Sequence, residues 1–133
     1  MEEIPVIYVV DDDMMIRKLL KNIILSAFQV RVVDFDNAEA AMGKAAEAPP
    51  ALIILDLYMP KLSGKEALWM MRAVPEITQV PIIICSVESQ LDPIRSLVQL
   101  GINGYLLKPF TPTAVVEKVM AATGIQPVNP VME

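Results

Sequence analysis

Residues 9–13 read VVDDD, two β-branched apolar residues running straight into Asp11, Asp12 and Asp13 with no base among them. Like charges this close repel and raise one another's pKa unless a cation sits between them. The chain must supply that cation or recruit it. Three further polar residues end apolar runs in the same way: Asp56 after LIIL, Ser86 after IIIC and Lys108 after GYLL. Oxygen donors without His or Cys favour a hard divalent cation, Mg²⁺ rather than zinc. A metal on Asp12 and Asp56, with Asp11 close by, would relieve the repulsion in VVDDD. Asp13 is better suited to opening a helix, where a carboxylate meets the positive end of the backbone dipole. Each residue has an ordinary explanation when taken singly, since Asp and Ser are turn and cap residues and a lone Lys is usually a solvated surface group. Their common position at the ends of apolar runs makes them a set.

The elements that must position this set follow from the patterning. Short apolar runs alternate with segments of helical period: IPVIYVV, MMIRKLLKNIILSAF, VRVVDF, NAEAAMGKAAEA, ALIIL, GKEALWMMRAV, VPIIICS, DPIRSLVQLG, GYLLK and TPTAVVEKVMAATG. Continuous apolar strands between helices predict a parallel sheet covered on both faces, because a strand with one wet face would alternate. Right-handed crossovers then give a doubly wound α/β fold, in which ligands gather at the carboxyl ends of the strands. Pro49 and Pro50 close the second helix, Asp92 and Pro93 suit an N-cap and first turn, Pro112 suits the start of the last helix and Gly124 its stop.

Composition narrows the function classes. The 133 residues are 54% hydrophobic and 20% charged, as expected of one globular domain with a substantial core. A net charge of −5 without a Lys/Arg block argues against direct nucleic-acid binding. The single cysteine, Cys85, lies inside an apolar run and reads as a buried, inert thiol. No apolar stretch approaches the roughly 20 residues of a membrane span, and the acidic MEEIP start has the wrong charge for a signal peptide. A cytoplasmic location without membrane insertion is therefore expected. Histidine is absent, so any chemistry rests on carboxylates, hydroxyls and lysine.

In order and spacing, VVDDD, LIILDLYMPKLSG, PIIICS and GINGYLLKPF resemble the receiver domain of two-component response regulators, over residues 4–123. The resemblance implies a five-stranded (βα)5 flavodoxin-like sheet with strand order 2-1-3-4-5. It also implies that Asp56 accepts a phosphoryl group from the phosphohistidine of a sensor histidine kinase or histidine phosphotransfer protein. Asp12 would be the acidic Mg²⁺ ligand, Asp11 its acidic neighbour, and the backbone carbonyl of Tyr58 would complete the protein's share of coordination. Ser86 matches the hydroxyl that moves to the phosphoryl oxygen, Lys108 the ammonium that pairs with it, and Tyr105 the aromatic switch residue coupled to Ser86. Pro109 follows a bond that the family usually holds in cis. The expected product is a phosphoprotein switch, serving a phosphorelay or altering affinity for a downstream partner or an attached effector.

The chain also has its own features. Ser63 stands where many relatives carry Asp and makes a good helix cap. Val87 is bulkier than the Ala or Gly common at its position, and Tyr58 and Glu88 flank the path of an attacking water, so slow autohydrolysis is expected. Ala67, Leu68, Met71 and Val74 keep the spacing of a core face, which leaves Met70 opposite and Trp69 on a flank as a candidate contact surface. Met14 and Met15 begin the first helix beside the expected site, and the resemblance implies that a histidine-bearing helical bundle would dock there, as in similar proteins.

Two competing readings remain. An aspartate-nucleophile phosphatase needs a second carboxylate two residues on, as in D-x-D, and DLYMP lacks it. The chain is thus expected to catalyse only its own phosphorylation and dephosphorylation. The alternative to the phosphorylated switch is a receiver-like interaction module that works without phosphate. The expected organisation is a receiver unit at 1–123 followed by a tail or linker start at 124–133.

Overall fold

The computed structural model describes residues 3–128, so the first residues of the expected receiver unit and tail residues 129–133 lie outside the description. Among the described residues ten elements alternate. They are β1 (Val6–Val10), α1 (Met14–Ala27), β2 (Arg31–Phe35), α2 (Ala38–Glu47), β3 (Leu52–Asp56), α3 (Gly64–Ala73), β4 (Ile82–Ser86), α4 (Leu91–Gln99), β5 (Gly104–Leu107) and α5 (Pro112–Thr123). The strands form one parallel sheet in the order β2-β1-β3-β4-β5. The doubly wound (βα)5 architecture expected from the patterning is the one observed.

Side-chain alternation sends each strand into two cores. Ile7, Val9, Leu52, Ile54, Ile83 and Cys85 meet Leu20, Ile24 and Val115 on the α1/α5 face. Val10, Ile53, Leu55, Ile82 and Ile84 meet Ala41, Leu68 and Met71 on the other. Each fully buried Leu or Ile stabilises the fold by about 1.5–3 kcal/mol. The residues of β3 and β4 are all buried, which is why their sequences are continuous apolar runs. The edge strand β2 departs from that expectation: Arg31, Val33 and Asp34 are exposed, as suits a strand paired on one side only.

The helix boundaries follow local chemistry. Asp13 caps α1 by accepting from the Met15 amide, as its position predicts. Ser63 and Glu66 form a reciprocal capping box on α3. Thr111 caps α5 ahead of Pro112, and Gly124 ends that helix in the left-handed conformation at φ 77°. For α4 the expectation is corrected: Gln90 is the N-cap, without a side-chain hydrogen bond, and Asp92 lies inside the first turn. The reason is that the helix starts two residues early, at Leu91, which moves the Asp92 carboxylate past the cap position. Of the α4 side chains only Leu97 is buried, so this helix is the most weakly anchored of the five. Past α5, Ile125 packs on the α1/α5 core and the Val128 amide donates to the Ala27 carbonyl at 2.7 Å.

A half-buried arginine ties the base of the sheet together. Arg72 donates to the carbonyls of Thr78 and Val80 at 2.9 and 2.8 Å, to that of Gly101 at 2.7 Å and to Asn103 Oδ1 at 3.2 Å. Asn103 Oδ1 also accepts from the Ile82 amide at 2.9 Å. Burial lowers the Arg72 pKa, yet guanidinium remains charged under all ordinary conditions.

Candidate functional site

The ladder register brings the predicted residues to one rim. Val10 lies opposite Leu55, Asp56 opposite Cys85, and Ser86 opposite Leu107. The residues ending or following those strands, Asp11, Asp56, Ser86 and Lys108, therefore stand side by side at the carboxyl end of the sheet. Two backbone bonds continue the ladder past the strands: the Asp11 amide donates to the Phe35 carbonyl at 3.1 Å and the Lys108 amide to the Ser86 carbonyl at 2.8 Å.

The question raised by VVDDD has a first answer within the protein. Lys108 Nζ lies 2.7 Å from Asp11 Oδ2 and 3.5 Å from Asp56 Oδ1. Asp11 is 2% exposed and Asp56 6%, so both charges are held largely out of water. The other oxygen of Asp11 accepts from the Asp13 amide at 2.9 Å. Burial pulls the Lys108 ammonium down, but the hydrogen bond it donates to Asp11 and the charges of Asp56 and Asp11 outweigh it, leaving its pKa raised. Asp56 is pushed up to about 6, first by burial and then by the Asp11 charge, against the lowering effect of Lys108. One ammonium thus only partly compensates the buried carboxylates.

Asp11, Asp12 and Asp56 each offer a carboxylate oxygen within 4.8 Å of the others, with Asp12 the exposed member. This all-oxygen donor set, carrying residual negative charge, fits a hard divalent cation. The Tyr58 amide lies 3.4 Å from Asp56 Oδ1, so the chain bends around the carboxylate immediately after β3. Close approach there depends on Gly64: a Cβ at that position would lie 2.1 Å from the Asp56 carbonyl oxygen.

Glu88 gathers the remaining residues. Its carboxylate accepts from the Tyr58 hydroxyl and, at 3.1 Å, from the Gln90 amide. Its carbonyl accepts from the Tyr105 hydroxyl at 2.6 Å, and its amide reaches Ser86 Oγ at 3.4 Å. The hydrogen bond to Glu88 raises the Tyr58 phenol pKa, and the same bond lowers that of Glu88. Burial raises the Tyr105 phenol, with the Ser86 hydroxyl near enough to act in the opposite direction. Ser86 is fully buried. The Lys108–Pro109 bond is cis.

Other expectations are resolved outside this rim. Met14, Met15, Tyr58 and Val87 are all exposed. Trp69, 64% exposed, and Met70 line a groove between α3 and α4 together with Lys65 and Leu100, while Ala67, Leu68 and Met71 are buried. Cys85 is buried, and burial pushes its thiol up to about 12, as an inert core residue requires. Sequence reasoning missed Arg17, which donates to the Asp11 carbonyl at 2.9 Å and to Asp34 Oδ2 at 2.9 Å. The available signal was a base one helical turn beyond the acidic run.

A family model described as the response regulator receiver domain matches residues 7–120. Chemotaxis protein CheY of Listeria monocytogenes is 33% identical over 115 residues, covering 86% of this chain and 94% of that protein. Chemotaxis protein CheY of Pseudomonas aeruginosa is 27% identical over 113 residues, covering 85% and 91%. Among solved structures, chemotaxis protein CheY4 of Vibrio cholerae superposes with a TM-score of 0.84 at 23% identity, covering 90% of this chain and 99% of that one. The phosphorylated cyanobacterial phytochrome response regulator RcpA gives 0.80 at 20% identity, covering 96% and 100%. At these identities the superpositions bear on the fold.

Proposed function

The chain belongs to the response regulator receiver domain family, and on that premise we propose that Asp56 takes a phosphoryl group from a partner's phosphohistidine and so alters affinity for a protein target. Receiver domains of the CheY type are signalling domains, and the fold and family match are consistent with a place in two-component signalling. The observation that carries the finer reading is the arrangement at the rim: a buried carboxylate, a second and third carboxylate within 4.8 Å of it, and an ammonium at 3.5 Å.

In this reading Asp56, ionised above about pH 6, attacks phosphorus. An Oδ–P bond forms, the P–N bond of the donor breaks, and its electron pair stays on the imidazole. Lys108 binds a phosphoryl oxygen and the Ser86 hydroxyl donates to another, which replaces part of the solvent that the phosphoryl group loses. Asp12, Asp56 and the Tyr58 carbonyl, with Asp11 as the neighbouring acid, would hold Mg²⁺, which would supply positive charge to the phosphoryl group. Tyr105 follows Ser86, because both touch the loop residue Glu88. The partners are a sensor histidine kinase or histidine phosphotransfer protein and a downstream protein or attached effector. No separate substrate is turned over.

The receiver unit in this reading spans residues 1–123, with 124–133 as tail or linker, and works in the cytoplasm without inserting into a membrane or binding nucleic acid. Among the described residues no helix is long and apolar enough to cross a membrane. The test is titration with beryllofluoride and Mg²⁺ followed by amide NMR, alongside Asp56→Asn. Magnesium-dependent shifts at Ser86, Tyr105 and Lys108 that vanish in the variant are the expected result. Absence of shifts in the wild type would overturn the reading in favour of a phosphate-independent interaction module.

A further inference from the structure

Asp12 is the one carboxylate of the trio that the protein does not hold directly: among the described residues no hydrogen bond or ion pair reaches it, and it is exposed. Its placement must come from the backbone on either side. On the C-terminal side the Asp13 amide is fixed by Asp11 Oδ1 at 2.9 Å. On the N-terminal side the carbonyl of the Asp11–Asp12 peptide accepts from Arg17 at 2.9 Å. That carbonyl sets the tilt of the peptide plane from which Asp12 departs.

Arg17 is well placed to fix this tilt. Its side chain is 14% exposed, and it rises from the first turn of α1 behind the loop. The guanidinium is held at its other edge by Asp34 Oδ2 at 2.9 Å, on β2. A planar donor fork clamped at one end has little rotational freedom left at the other. The same group brings positive charge close to the acidic run, complementing Lys108, which engages the Asp11 side chain.

We propose that Arg17 is a positioning residue for the metal site: by holding the Asp11 carbonyl it aims the Asp12 carboxylate at the cation shared with Asp11 and Asp56. This rests on the reading of the trio as a Mg²⁺ site. It adds a residue that touches neither metal nor phosphoryl group and acts through one peptide plane. Asp34 contributes at one remove, as the anchor of the guanidinium. Outer groups that orient metal ligands commonly control affinity although they make no contact with the ion.

The experiment titrates Mg²⁺ alone into wild type, Arg17→Ala, Arg17→Lys and Asp34→Asn, following the Asp12 and Asp56 amide resonances, with urea denaturation of each protein in chelator. Arg17→Ala is expected to weaken Mg²⁺ binding about tenfold. Asp34→Asn, which loosens the guanidinium but leaves the carbonyl bond, weakens it less than Arg17→Ala does, even where the two lose similar stability. Arg17→Lys recovers part of the affinity, and it carries the comparison should Arg17→Ala not fold. Unchanged affinity in folded Arg17 variants, or equal losses in Arg17→Ala and Asp34→Asn, would overturn the proposal and leave Arg17 as a tie between α1 and β2. A wild type that does not respond to Mg²⁺ at all would overturn the metal reading itself.

Discussion

Asp56 carries a stability cost that can be measured without any phosphodonor. Folding moves its carboxyl from an ordinary 3.8 to about 6, through burial and the Asp11 charge. A carboxyl raised on folding favours the native state while protonated. That contribution is complete below about pH 4 and is lost as pH rises through about 6. At 1.36 kcal/mol for each unit, the ionised group costs the fold about 3 kcal/mol at pH 7.5. Asp56→Asn removes the charge at almost constant volume but gives up the attraction to Lys108, so its net gain is about 1–3 kcal/mol at that pH. The assay is urea denaturation of both proteins in chelator between pH 4.5 and 7.5. The variant is expected to be the more stable at pH 7.5, with the gap closing toward pH 4.5, and Mg²⁺ is expected to narrow it by stabilising the wild type alone. A gap that is the same at both ends of the range, or a variant less stable at pH 7.5, would refute the account of the rim as under-compensated.

Three further outcomes are expected. Gly64→Ala places a Cβ 2.1 Å from the Asp56 carbonyl oxygen and 2.7 Å from Leu57 Cα, neither able to yield. It should lower stability by about 2–3 kcal/mol in denaturation and weaken beryllofluoride binding as Asp56 is displaced. Arg72→Met keeps the packing but strands the carbonyls of Thr78, Val80 and Gly101. A loss of about 2–4 kcal/mol is expected, only partly restored in Arg72→Lys, whose ammonium cannot span both pairs of acceptors. Tyr58 and Glu88 are bonded across the mouth of the site beside exposed Val87. Tyr58→Asn and Val87→Ala should each speed phosphate release from the phosphorylated protein several-fold, and unchanged rates in both would remove the shielding argument.

The parts of this structure that were legible in the sequence are those set by local chemistry or by burial on both faces. LIIL and IIIC read as interior strands because every residue must be apolar there, and the polar residue that ends each run marks the rim. Asp13, Ser63 and Pro112 announced helix starts through their own capping preferences. The less legible parts depend on partners distant in the chain. That Lys108 approaches Asp11 more closely than Asp56 is set by β5 packing, 97 residues away. Arg17 and Arg72 look like solvated bases in a linear reading, since the carbonyls that receive them carry no sequence signature. Asp92 misled for the opposite reason: a good capping residue was present, but α4 began one residue ahead of it.

The Arg72 junction also determines how motion can be distributed along β4 and β5. It fastens the starts of both strands, at Ile82 through Asn103 and beside Gly101, whereas Ser86 and Lys108 stand at the opposite ends. From Ile82 to Ser86 the strand spans roughly 13 Å. A 1 Å displacement at Ser86 is therefore a rotation of roughly 4° about a pinned base. The sheet edge behaves as a lever whose fulcrum is a guanidinium. Surface near Leu107, opposite Ser86, sweeps through the full arc and Tyr105, opposite Ile84, through about half of it, while surface near the pin scarcely moves. A target that distinguishes two orientations of this edge gains its discrimination by gripping the far end of the lever.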